Sequence, residues 1–302
     1  MTDDPRLVRH PLGFYRVRDV PTPEELQAFY ADQYFQEEKG LYRAAYPPEE
    51  LDYFRVKTSQ FAACVAELRG TDQPGSLLDV GCGEGFALQQ FADHGWAVSG
   101  IDFSSAGIEA MNPAMVDRCE FGDVFDLLDQ RIDAGDSYDV VWLKHVLEHV
   151  VDPLGLLETL RKLTRPGGLL VVTVPNDFSP LQQVLWDKGA ISERFWIALP
   201  DHLNYFNAES LVNVAEHCGW TVRDLLSDFP IDVFLLHKGS NYQRDRDFGP
   251  AAHQARLAFE NMLGAVPHER VNALYRAMAQ VGVGRSLTAF LQPGEDDVHD
   301  AE

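Results

Sequence analysis

The sequence predicts an open, doubly wound α/β sheet whose strands are mostly parallel, and three observations carry that prediction. Short apolar segments alternate with amphipathic helical ones from about residue 76 to 226. A glycine-rich turn, "GCGEG" (81–85), falls between the first strand and the first helix of that run. The segment "LLVVTVP" (169–175) is apolar almost throughout, as expected of a strand whose sheet is covered on both faces. Such alternation is the pattern of strands joined by crossover helices.

Each element has its own signal. Residues 1–48 are rich in proline and aromatics, with Tyr30, Tyr34, Phe35, Tyr42 and Tyr46 close together. Leu51, Phe54, Thr58, Phe61, Val65 and Leu68 then recur at steps of three and four, one face of a helix that Gly70 stops. "SLLDV" (76–80) reads as a strand, "FALQQFADHG" (86–95) as a helix and "AVSGID" (97–102) as the second strand. "CEFGDV" (119–124) is a weaker third, and "YDVVWLKHV" (138–146) a fourth that runs into a loop. Asp152 and Pro153 stand in N-cap and first-turn order before a stripe of Leu156, Leu157, Leu160 and Leu163, which "RPGG" breaks.

The connection over 176–206 is long for a strand–helix link, and such loops are usually functional. Asn207 caps a helix ending at Gly219, and "WTVRDLL" (220–226) is strand-like. Residues 228–284 leave the alternation for an insertion whose later part reads as two helices. "RSLTAFLQP" (285–293) is the final strand, and the acidic residues 294–302 are expected to fray. The resulting layout is an N-terminal cap and first helix (1–70), a core (71–227), the insertion and the last strand.

At 302 residues the chain suits one large domain or two small ones. Its net charge of -22, from 47 acidic and 25 basic residues, argues against a nucleic-acid partner, because phosphate contacts need clustered Lys and Arg. The four cysteines form no CxxC pair, so neither a disulfide framework nor a zinc knuckle is expected. "MTDDPRLVRH" lacks the order of a signal peptide, and no apolar run reaches membrane-spanning length. A reduced cytoplasm is the expected setting, with assembly left open between monomer and homodimer.

In an open parallel sheet, ligands sit beyond the carboxyl ends of the strands. Gly81, Gly83 and Gly85 fall there, where glycine permits unusual φ and close backbone approach. Asp102 ends the second strand, placed to accept hydrogen bonds from a ribose diol. A dinucleotide loop would read GxGxxG; here Phe86 occupies the third glycine position and Asp79 precedes the loop. That disfavours a dehydrogenase.

"LLDVGCGEG", "GID", "GDV", "YDVVWLKHVLEHVVDP" and "RPGGLLVVTVP" follow one another in order. Together they resemble the class I S-adenosylmethionine-dependent methyltransferases, and most closely the small-molecule branch with the "LEH" signature. The resemblance covers residues 76–226. It implies a seven-stranded, mostly parallel sheet with helices on both faces, an aromatic N-terminal helical cap and helical insertions on the acceptor side. It also implies S-adenosylmethionine as cofactor and S-adenosylhomocysteine as product.

Carried over by residue, Asp79 would hold the methionine ammonium, and Gly81, Cys82 and Gly83 would offer backbone to the methionyl and ribose portions. Asp102 would take the ribose hydroxyls, with Phe103 against the adenine. Asp123 would face the adenine amino group and Val124 would give backbone to the ring. Lys144 and His145 would border the methionine end. The aromatic cluster "FYADQYFQ" either packs the N-terminal helix on the sheet edge or lays Tyr34 and Phe35 over the site as a lid. For catalysis the candidates are His202 in "PDHLNYF", where sugar-acting members often place a histidine, and His149 in "LEHV". Asp201 and Tyr205 accompany them, and Glu148 reads as a loop anchor. No metal is expected. Trp186, Phe195 and Trp196 would wall the acceptor pocket or else serve as core for the extra helices.

A sugar, nucleotide-sugar or glycan-precursor hydroxyl or amine is the expected acceptor. A quinone precursor or natural-product phenol is the alternative within the same fold. A catalytically silent cofactor-binding regulator is the alternative from another class, and intact Asp79, Gly81, Gly83 and Asp102 speak against it.

Overall fold

The computed structural model describes residues 4–22, 25 and 45–294. The expected acidic tail and the aromatic residues Tyr30, Tyr34, Phe35 and Tyr42 lie outside the described residues. Two strands of three residues, β1 (Leu7–Arg9) and β2 (Tyr15–Val17), form a hairpin. β2 also pairs antiparallel with β8 (Asn204–Tyr205). The described part of the N-terminal cap is therefore a small sheet. Strands this short give no period-2 pattern to read.

The main sheet is seven-stranded and mostly parallel. β3 (Ser76–Val80), β4 (Ala97–Asp102), β5 (Cys119–Phe121), β6 (Tyr138–Lys144) and β7 (Thr164–Pro175) run parallel. β9 (Trp220–Ser227) and β10 (Ser286–Pro293) complete the order β5-β4-β3-β6-β7-β10-β9, with β10 antiparallel to both neighbours. "RPGG" sits inside β7, where the register against β6 shifts.

Period-2 alternation sends successive side chains to opposite faces. Leu170, Val172 and Val174 join one core with Leu78, Val80, Val141 and Leu143. Leu169 and Val171 join the other with Leu77, Val140 and Trp142. The first core is closed by α5 (Pro153–Leu163), through Leu156, Leu157, Leu160 and Leu163, and by α7 (Ala208–His217), through Leu211 and Val214. The second packs against α1 (Pro48–Arg69), α2 (Phe86–Asp93) and α9 (His268–Gln280). Each such fully buried leucine contributes about 1.5–3 kcal/mol of transfer free energy.

The caps read from sequence are present. Asp152 Oδ1 accepts from Gly155 N at 3.0 Å. Asn207 and Ser210 form a reciprocal capping box. Gly70 ends α1 in the left-handed region at φ 67.

One face of α1 departs from its apolar stripe. Leu51 is exposed, whereas Lys57 and Gln60 are buried. Lys57 Nζ lies 3.3 Å from Glu260 Oε2 and 4.2 Å from the centroid of the Tyr275 ring. Gln60 Nε2 donates to Asn272 Oδ1 at 3.0 Å. The partners come from α8 (Gly249–Leu263) and α9, so the C-terminal insertion packs on α1 through paired polar groups. Burying a polar group costs free energy that such partners offset.

Candidate active site

Between β3 and its neighbours the connection reverses. β3 leads through α2 to β4 on one side, while β6 flanks it on the other. Such a switch point opens a crevice at the carboxyl ends of the strands. The glycine loop fills its floor. Gly81, Gly83 and Gly85 hold φ of 72, 52 and 75, and a Cβ on Gly81 would lie 2.4 Å from Val146 Cγ2. Gly81→Ala should therefore lower stability by about 1–3 kcal/mol, from strained φ and collision together. Calorimetric melting checks this; an unchanged melting temperature would show that the loop relaxes freely.

The loop's N–H groups are turned inward. Gly81 N and Cys82 N donate to Ile101 O at 2.8 and 3.2 Å. Gly83 N donates to Asp102 Oδ2 at 2.7 Å, and Ser104 N donates to Asp102 Oδ1 at 3.1 Å. The resemblance implies that these residues offer backbone to the ligand. Those three N–H groups are committed within the fold, and Cys82 O accepts from Gly85 N at 2.9 Å.

Asp79 is 3% exposed, and burial, reinforced by the Asp102 charge and opposed by Lys144, pushes its carboxyl up to about 7. Burial also raises Asp102, against the pull of its backbone donors. Phe103, beside Asp102, is exposed. Asp123 is the N-cap of α4 (Val124–Asp133), its Oδ1 accepting from Phe125 N and Asp126 N at 2.9 and 3.2 Å. Any contact it makes to a base must come in addition to that cap.

A second group converges from the loops after β6 and β7. Lys144 ends β6, and His145 follows in the left-handed region at φ 55. His145 Nδ1 lies 2.9 Å from Glu148 Oε1. Glu148 is 1% exposed; burial alone would raise it, but the His145 hydrogen bond and the nearby His145 and His149 charges outweigh that and hold it low. Its Oε2 is buried without a hydrogen-bond partner.

His149 Nδ1 lies 2.9 Å from Asp201 O and 3.2 Å from Asp201 Oδ1. Burial opposes its charge, yet Asp201 and Glu148 raise it to about 9. His202 stands edge-on to His149, ring centroids 4.8 Å apart, with Nε2 3.8 Å from Asp201 Oδ2 and Nδ1 buried without a partner. Burial and the His149 charge lower its pKa below the ordinary 6.5.

The two histidines are thus pushed in opposite directions, His149 up and His202 down, and titratable pairs separated in this way suit a division between acid and base. Ligand atoms of Glu148, His149 and His202 lie within 4.8 Å of one another, a set that could hold a metal ion although spacing in sequence gave no hint of one. Tyr205 is 1% exposed, and its hydroxyl donates to His202 O at 2.8 Å. That hydrogen bond ties its ring to the loop that carries His202.

Some neighbours were not legible in sequence. Asp177, just after β7, is 1% exposed and carries a buried Oδ2 without a partner. Burial pushes it up to about 7, opposed by Arg285, whose Nη1 lies 3.3 Å away. Phe178 follows at φ 54, its ring centroid 4.5 Å from that of Tyr15. Tyr46 Oη donates to Glu84 Oε1 in the glycine loop at 2.6 Å. Trp196 is 3% exposed among Leu185, Ile191 and Leu235, so it is core rather than pocket wall. The proposed cover residue Tyr34 lies outside the described residues.

A glycine turn, two buried carboxylates and a cluster of titratable side chains thus lie at the strand tips. Residues 53–225 match the family model described as "Methyltransferase domain", and the chain belongs to this family. Its domain is that of a class I S-adenosylmethionine-dependent methyltransferase.

A ubiquinone biosynthesis O-methyltransferase of Aeromonas salmonicida is 32% identical over 171 residues, 51% of this chain and 68% of that protein. One of Caulobacter vibrioides is 37% identical over 103 residues, 33% of this chain and 41% of that protein. Among solved structures, a SAM dependent methyltransferase from Archaeoglobus fulgidus aligns over 79% of this chain and 94% of its own, with TM-score 0.49 and 16% identity. Among the described residues no helix is long and apolar enough to cross a membrane.

Proposed function

We propose that this protein transfers the methyl group of S-adenosylmethionine to a hydroxyl of a phenolic quinone precursor. The carrying observation is the acid–base cluster. A hydroxyl acceptor must lose a proton as it attacks, while an amine need only be unprotonated beforehand. Glu148 Oε2 and His202 Nδ1 are buried and without partners, and an acceptor hydroxyl would satisfy them. The curated relatives named as ubiquinone biosynthesis O-methyltransferases support a phenol. The sugar acceptor expected from sequence has no such support.

The cofactor supplies an electrophilic methyl on a positively charged sulfur. Asp79 and Asp102, both buried at the strand tips, would take its ammonium and its ribose diol. His202 takes the hydroxyl proton. His149, held as imidazolium by Asp201 and Glu148, steadies the oxyanion and keeps His202 neutral. Alignment of oxygen, methyl and sulfur in a dry site does the rest. Incubation with S-adenosylmethionine and a panel of dihydroxybenzoates, hydroquinones and nucleotide sugars, read by mass spectrometry, tests this. Product from sugars alone would reject the reading.

A metal-assisted form of the same reaction is favoured by the convergence of Glu148, His149 and His202. A divalent ion there would lower the hydroxyl's pKa. Chelator treatment separates the two forms: unchanged turnover leaves His202 as sole base.

Binding should also depend on pH. A carboxyl pushed up to about 7 prefers its neutral form in the empty protein, so Asp79 contributes stability at low pH that is lost as pH rises from about 4 to 7. A cationic ligand reverses the preference, because it favours the carboxylate. Affinity for S-adenosylmethionine should accordingly rise through pH 7 with uptake of the ligand releasing protons. Titration calorimetry in buffers of different ionisation heat checks the sign, and tighter binding at low pH would contradict the role given to Asp79.

A further inference from the structure

The glycine loop and the edge of the sheet bring two free thiols together beside the cofactor carboxylate. Cys82 lies between Gly81 and Gly83 and is 7% exposed. Cys119 opens β5, is half-buried, and pairs in register with Gly100 of β4. The two sulfurs are 4.0 Å apart. Both occupy the space that a side chain at position 100 would need, since a Cβ there would lie 2.7 Å from Cys119 Sγ and 3.0 Å from Cys82 Sγ. The glycine at 100 makes room for the thiol pair. The other cysteines are elsewhere: Cys64 Sγ lies 3.5 Å from Asp224 Oδ2, and Cys218 Sγ lies 3.7 Å from Leu154 O.

We infer that Cys82 and Cys119 form a reversible disulfide that displaces the glycine loop, so that a hydroperoxide switches off cofactor binding. A disulfide needs the sulfurs at about 2.05 Å, so roughly 2 Å must be closed from the observed separation. Cys119 is a partner in a strand ladder, whereas Cys82 is flanked by two glycines whose backbone meets no Cβ penalty. The loop is the side that yields. Its movement pulls on Gly83, whose N–H holds Asp102 Oδ2 at 2.7 Å. The ribose carboxylate and the loop backbone then lose their mutual geometry.

The chemistry balances with one equivalent of peroxide. The Cys119 thiolate attacks a peroxide oxygen, the O–O bond breaks, and hydroxide (or alkoxide) leaves with a sulfenic acid on Cys119. The Cys82 sulfur then attacks that sulfenic sulfur, and water leaves as the S–S bond forms. Two thiols are oxidised and one peroxide is reduced. Cys119 is the first to react because it is the more exposed, and a hydrogen bond from the Cys82 thiol favours its thiolate.

This inference rests on the reading that the glycine loop holds the cofactor, and the test keeps the two apart. Calorimetry of S-adenosylhomocysteine with the reduced protein tests the cofactor reading by itself. The full-length protein is then treated with hydrogen peroxide and mapped by non-reducing peptide mass spectrometry. The expected result is a Cys82–Cys119 crosslink, two hydrogen masses lighter than the free pair, with Cys64 and Cys218 unlinked. S-adenosylhomocysteine affinity should fall roughly tenfold or more and return after dithiothreitol. Cys119→Ser should bind like the reduced wild type and ignore peroxide. Absence of the crosslink in folded, peroxide-treated protein overturns the inference. So does a crosslinked protein that binds S-adenosylhomocysteine as tightly as the reduced one.

Discussion

Asp102→Ala is expected to weaken S-adenosylhomocysteine binding by about 1–3 kcal/mol, the usual consequence when hydrogen-bonding partners lose a charged group. The carboxylate has two tasks in this fold. It fixes the loop by accepting from Gly83 N and Ser104 N, one on each oxygen. It also presents its remaining lone pairs at the tip of β4, where the ribose diol is proposed to lie. Asp102→Asn divides the tasks, because the amide keeps one acceptor and replaces the other with a donor. It should lose less affinity than alanine if loop order dominates, and as much if the diol dominates. Burial raises the Asp102 carboxyl, so removing it should not destabilise the empty protein at high pH as much as the lost hydrogen bonds alone suggest. Titration calorimetry, paired with melting of the empty variant, reads both quantities. Affinity within twofold of wild type for the alanine variant would move the cofactor away from this carboxylate.

Most of the fold over residues 76–226 was legible because its signals are local. Three glycines with positive φ, a carboxylate at a strand end, and the caps Asp152 and Asn207 each act within a few residues of themselves. β7 announced itself by being apolar on both faces. What sequence could not give is pairing across the chain. Asp177 finds Arg285 at a separation of 108 residues, and Lys57 finds Glu260 at 203. Neither pairing leaves a mark in the spacing of either partner. β10 has the composition of a strand, but its slot between β7 and β9 is decided by sheet topology. The inward turn of the loop N–H groups is likewise a matter of backbone geometry that GxGxG spacing does not encode. Trp196 shows the same limit from the other side: a large aromatic in a long loop can line a pocket or fill a core, and only packing decides.

His202→Ala should leave S-adenosylhomocysteine affinity unchanged and lower kcat by about 10²–10⁴, the range that a positioned proton acceptor contributes. His202 owes its basic role to its surroundings. It is desolvated, and the neighbouring His149 charge lowers it further, while Glu148 and Asp201 pull the other way; the balance lies below 6.5. His149 is instead raised to about 9, since the Asp201 hydrogen bond and the Glu148 and Asp201 charges outweigh its burial. Between these limits the pair holds one proton, on the ring that does not need to accept another. Single-turnover rates should therefore rise as pH climbs through the His202 transition and fall as pH passes about 9, when His149 loses the charge that supports the oxyanion. The His202→Ala variant should lose the acid limb and keep the basic one. Asp201→Asn should shift the basic limb downward, because it removes the group that raises His149. An acid limb that survives in His202→Ala would assign the proton to another group, and buried Asp177, pushed up to about 7 beside Arg285, would be the first to test.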